Sequence, residues 1–146
     1  MQFFTRDWWE LGCPKAEEVF ARYSAHFAGI REALPPDLIE LEEEHTLHDS
    51  EVKEVTCNVG SCTLTLRLEG WNQDLTSKVQ YRLHFLEANE FEQVFPQKEY
   101  VERELGDLGY WECELVQGLV QMKMLFVSGA EFRVVFKDFK LEVVPR

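Results

Sequence analysis

Between Leu47 and Gly70 the chain changes its hydrophobic rhythm. Ahead of that stretch apolar residues recur every three or four positions; within it they begin to recur every second position. Cys62, Leu64, Leu66 and Leu68 share one parity, and Thr63, Thr65, Arg67 and Glu69 share the other. That alternation predicts a strand with one buried and one wet face. Everything before the stretch reads as helix and everything after it as sheet.

Phe4, Trp8 and Leu11 are spaced i, i+4, i+7, with Thr5 placed as an N-cap and Gly12 as a stop, so a short first helix is expected. Pro14 suits the first turn of a second helix. Its apolar stripe is Val19, Phe20, Tyr23, Phe27, Ile30 and Leu34, with His26 at the border, and Pro35-Pro36 ends it. Pro36 and Asp37 can start a short third helix that buries Leu38 and Leu41, and an extended connector is the alternative.

Val55, Cys57 and Val59 share a parity, and the turn chemistry of Asn58-Val59-Gly60-Ser61 predicts that they pair with the Cys62–Leu68 strand as an antiparallel hairpin. Val79, Tyr81, Leu83 and Phe85 mark a third strand. Phe91, Val94 and Phe95 suggest a loop or a short strand, and residues 100–105 could form one helical turn. Strand pattern resumes at Trp111, Cys113 and Leu115, continues through Val120, Met122, Met124 and Phe126, and ends with Phe132–Phe136 and Phe139–Val143, between which Asp138 breaks the parity as a bulge would.

The expected fold is therefore α+β. N-terminal helices pack on a mainly antiparallel, strongly twisted sheet of about six or seven strands, since the connections are too short for crossovers. A single domain spans residues 1–146, with a helical layer over 1–46 and a sheet region over 47–146. The stripe of the second helix, with Trp8 and Trp9, is the expected cover of the sheet face, and Leu64, Leu66, Leu68, Tyr81, Leu83 and Phe85 should share a core with Val19, Tyr23, Phe27 and Ile30.

Composition narrows the function classes. The formal net charge is −12, shared equally between residues 1–46 and 47–146, which argues against phosphate neutralisation and hence against nucleic-acid binding. The chain lacks a basic segment followed by an apolar run at its start and has no window of about 18 uninterrupted apolar residues, so a soluble, cytoplasmic protein is expected without membrane association. Cys13, Cys57, Cys62 and Cys113 form no CxxC pair and read as free thiols.

Candidate chemistry is sparse. There is no G-x-S-x-G elbow, and Ser50 adjoins His48 and Asp49 too closely for a triad. Cys57, Cys62 and Cys113 sit at inward parity, where a thiol is inert. From Asp37 to Glu51 there are seven carboxylates and no Lys or Arg. Glu42, Glu43 and Glu44, together with His48 and Asp49, are thus the binding candidates, through a negative potential that would steer a basic partner. No catalytic residue, metal ligand or cofactor is assigned. His45, His48 and Asp49 are the one local cluster with ligand-capable side chains, though Asp49 or Ser50 can equally fix the turn into the first strand while His48 packs over it.

The segments F-F-T-R-D-W-W (Phe3–Trp9), L-H-D-S-E-V (Leu47–Val52), Y-W-E-C-E-L (Tyr110–Leu115) and L-F-V-S-G-A-E-F-R-V-V-F-K-D-F-K-L (Leu125–Leu141) together resemble a small bacterial family of unknown function. Similar L-H-D and late-strand patterns occur in immunity proteins of bacterial toxin systems. The resemblance implies a bacterial, cytosolic α+β protein. Charge, sparse chemistry and resemblance together favour a non-catalytic binding or interaction module, immunity-protein-like, with an acidic surface for a basic protein partner. The alternative is a metal-dependent enzyme or metal-binding protein centred on His45, His48 and Asp49.

Overall fold

The sheet that begins at the hairpin does not remain one sheet. The computed structural model describes residues 1–96 and 104–146, and the helical turn expected over 100–105 falls mostly outside them. Helices α1 (Arg6–Glu10), α2 (Ala16–Ile30) and α3 (Pro36–Glu44) precede strands β1 (Glu51–Asn58), β2 (Thr63–Trp71), β3 (Lys78–Leu86), β4 (Glu90–Val94), β5 (Leu108–Val116), β6 (Leu119–Phe126), β7 (Glu131–Phe136) and β8 (Asp138–Pro145). One four-stranded sheet has the order β1-β2-β3-β8 and the other β4-β7-β6-β5, with every pairing antiparallel.

The α+β class is as expected, but the described residues form eight strands in two sheets rather than about six or seven in one. The difference arises where the alternation breaks. Phe132–Phe136 and Phe139–Val143 are not one bulged strand: β7 pairs in one sheet and β8 in the other. Across from them β3 passes into β4 through Glu87, whose φ is +48°. Lys137 N–H donates to Leu86 O (3.2 Å) and Asn89 N–H to Val135 O (2.7 Å), so the ladder continues across the bend. At the far edges, Asp49 N–H donates to Leu108 O (2.9 Å) and Leu108 N–H to Ser50 O (2.8 Å), tying the start of β1 to the start of β5.

Both sheets turn their apolar parity towards one core. Leu64, Leu66, Leu68, Tyr81, Leu83 and Phe85 are buried there with Met122, Met124, Phe126, Val134 and Phe136 of the other sheet, and Phe85 meets Phe136 edge to face at 4.9 Å. The two methionines are core residues, as their parity predicted.

The helices cover edges more than faces. α3 opens on Pro36 as expected, buries Leu38 and Leu41 in the same core and lies against β8, where Asp37 accepts the outward N–H of Leu141 (2.9 Å). α2 lies against β5, the edge of the second sheet. There Tyr23 Oη accepts Cys113 N–H (2.9 Å), and His26 Nε2 donates to Cys113 O (2.9 Å). An edge strand is thus closed by side chains, which blocks pairing with another chain. The expected grouping is corrected accordingly: Ile30 reaches the inter-sheet core, Val19 and Tyr23 form a separate cluster with Phe4 and Trp8, and Phe27 touches both.

Local expectations fare unevenly. Thr5 caps α1 by accepting Trp8 N–H (3.1 Å), and Gly12 follows at φ +85°. Leu11 and Phe20 are exposed despite their spacing. The β1–β2 hairpin forms, with Asn58 opposite Thr63. Val55, Cys57, Val59 and Cys62 nevertheless face solvent, because β1 is an outer strand and Cys62 lies in the turn at φ +53°. All four cysteines are free, and Cys113 is the buried one. Among the described residues, no helix is long and apolar enough to cross a membrane.

Candidate functional site

Helical geometry turns one member of the acidic run inward. Glu42 is four residues after Leu38 and one after Leu41, so the turn that buries the two leucines carries Glu42 to the margin of the same face. Its carboxylate is met from two elements. Tyr23 on α2 donates from Oη to Oε1 (3.2 Å), Trp111 on β5 donates from Nε1 (3.1 Å), and the Cys113 thiol approaches at 3.7 Å.

All three donors converge on Oε1; among the described residues, no hydrogen bond reaches Oε2. The carboxyl end is largely withdrawn from solvent, with the unbonded Oε2 keeping some access. Burial raises that carboxyl from 4.5 to about 7, against the opposing pull of the three donors. Burial and the neighbouring carboxylate together push the Tyr23 hydroxyl and the Cys113 thiol well above their ordinary values, so neither is an available base or nucleophile.

Beside this carboxylate lies a recess of about 150 Å³, lined by Phe4, Phe20, Tyr23, Glu42, Tyr110 and Trp111. The walls come from the N-terminal segment, α2, α3 and β5. Phe4 stacks on Tyr110 (5.3 Å) and meets Tyr23 at 5.3 Å and Phe20 at 5.2 Å. Phe20 is 47 % exposed and forms the outer lip. Behind the rings, the buried Glu112 carboxylate accepts backbone N–H groups of Gln2, Phe3 (2.8 Å) and Phe4 (3.4 Å), which holds the N-terminal segment against β5. Gly109 allows the close packing: a Cβ there would run into the Trp9 indole.

The other predicted residues are dispersed. Glu43 points outward and pairs in bidentate fashion with Arg31 (2.5 and 3.2 Å), and Glu44 is exposed. His48 donates from Nδ1 to Gly109 O (2.8 Å) and packs 5.9 Å from the Tyr110 ring. Asp49 is exposed at φ +59°, 3.6 Å from His48 Nε2. Side-chain ligand atoms of Glu40, Glu44 and His45 lie within 4.8 Å of one another, so the structure brings His45 to two glutamates rather than to His48 and Asp49.

A second recess, on the outer face of the first sheet, is lined by Glu54, Thr56, Thr65, Arg67, Arg82 and His84. Its cations already have partners. Arg67 binds Glu54 (3.3 Å), Arg82 and His84 face Glu142 (3.8 and 3.4 Å), and Thr65 bonds His84 (3.0 Å). Tyr23, Trp111 and Cys113, by contrast, were absent from the sequence-based candidates. Strand parity placed Trp111 and Cys113 on one face, but only the packing of α2 against β5 and the reach of Glu42 from α3 show what they meet. The chain matches no protein-family model and no curated protein.

Proposed function

We propose that this chain is a non-catalytic binding module, immunity-protein-like, whose partner is a basic protein. The observation that supports it most is the Glu42 recess, where a single carboxylate sits among aromatic rings and is held by the Tyr23 hydroxyl, the Trp111 indole and the Cys113 thiol. Nucleophilic work through a covalent intermediate needs an activated nucleophile beside its base. The groups beside Glu42 are a hydroxyl and a thiol that burial keeps protonated. A net charge of −12 favours encounter with a cationic surface. The metal-centred alternative has less support, since His48 serves the Gly109 carbonyl and lies outside the Glu40–Glu44–His45 group.

Co-purification with the tagged chain from its native host, followed by titration of the recovered partner across a salt series, tests the reading. A stoichiometric complex with a basic protein, formed more slowly as salt rises, is the expected result. An acidic partner, or turnover of any bound molecule, would overturn it.

A further inference from the structure

We infer that the recess at Glu42 receives the ammonium group of a lysine side chain, presented by the basic protein partner. This rests on the binding-module reading above and names the contact through which that module would grip its partner. Two independent observations carry it.

The first is the wall. Phe4, Phe20, Tyr23, Tyr110 and Trp111 surround a space of about 150 Å³, and an alkylammonium enclosed by such rings is attracted by their quadrupoles while its methylene stem packs on their apolar surface. Among the described residues, no lysine or arginine of the chain's own lines the recess. The second is the unused oxygen. Tyr23, Trp111 and Cys113 all direct their hydrogens to Oε1, leaving Oε2 without a donor among the described residues. A carboxylate with one oxygen held by the protein and the other left accessible is matched by a cation that brings N–H donors.

The tip of a lysine can be supplied as n-butylammonium, with 1-butanol as the uncharged control and tetramethylammonium as a cation without donors. The Trp111 indole N–H, which donates to Glu42, is the reporter in ¹H–¹⁵N spectra of the full chain. At pH 8, where Glu42 is mostly ionised, n-butylammonium should shift that resonance saturably, and Glu42→Gln should weaken the binding about tenfold or more, as expected for losing a charge-assisted contact. Phe20→Ala, at the exposed lip, should weaken it by roughly threefold through loss of one ring face.

No saturable shift, equal binding of 1-butanol, or unchanged affinity in Glu42→Gln would overturn the inference. Tighter binding of tetramethylammonium than of n-butylammonium would also overturn it, pointing to a free quaternary amine. Failure here is separable from failure of the function. If Glu42→Gln still captures the basic partner as wild type does, the lysine contact falls and the binding module stands.

Discussion

Two hydrophobic clusters built from the same chain differ in how they treat polar groups. The core between the sheets is lined by Leu66, Leu68, Leu83, Met122, Val134 and Phe136, all fully buried, and admits few polar side-chain groups, such as the Tyr81 hydroxyl, which donates to Trp71 O. The smaller cluster of Phe4, Trp8, Val19 and Tyr23 covers the edge of β5. It therefore has to answer unpaired strand groups with side chains: Tyr23 and His26 for Cys113, and His48 for Gly109. Covering an edge imports polar groups, and one of them, Glu42, is left with an unengaged oxygen beside an open recess. Whether a sheet face or a sheet edge is being buried decides here how many polar side chains the packing has to include.

The comparison can be broken most forcefully at Leu66. Truncation to Ala removes a fully buried side chain from the inter-sheet core, and should cost about 2–5 kcal/mol in denaturant unfolding. A loss below about 1 kcal/mol would mean that this core is no better packed than the edge cluster.

Next in size is the pH response of Glu42. Between pH 4.5 and about 7 the folded chain holds a proton on this carboxyl that the unfolded chain has released. The group's contribution is thus most favourable below pH 4.5 and declines as pH rises towards 7, by on the order of 3 kcal/mol. Tyr23 from α2 and Cys113 from β5 are the titratable groups that face it, and neither supplies a compensating cation. Glu42→Gln should flatten this slope and be the more stable form above pH 7. Subtracting the variant's profile from the wild type's cancels opposing carboxylates, such as Glu43, which Arg31 holds below its ordinary value. Parallel profiles would show that the carboxyl is well solvated.

The smallest effect belongs to Phe20, whose half-exposed ring forms the lip of the recess. Replacement by Ala should change stability by no more than about 1 kcal/mol, because most of the removed surface was already wet. Thermal unfolding can check this, and a large loss would place Phe20 in the structural part of the cluster.

Much of the fold was legible along the chain because its signals are local. The i, i+3 spacing of Leu38 and Leu41, the Thr5 cap, the Asn58–Ser61 turn and the alternation through Leu64, Leu66 and Leu68 all depend on neighbours within a few residues. The division into two sheets was not legible. A bent ribbon and a bulged strand give the same interrupted parity at Asp138, and only the partner of each half separates them.

The candidate site divides in the same way. Sequence by itself determined that Glu42, Glu43 and Glu44 belong to one acidic run, that a short helix could carry them and that Trp111 and Cys113 share a strand face. Tertiary structure decided that Glu43 turns to Arg31, that Glu42 turns inward, and that Tyr23, 19 residues away, and Trp111, 69 residues away, meet it on a single oxygen. Three adjacent glutamates have the same local propensities, so their fates are set by which face of α3 turns towards Tyr23 and Trp111. Desolvation, which raises the pKa of one of them, depends on elements that the run itself does not contain.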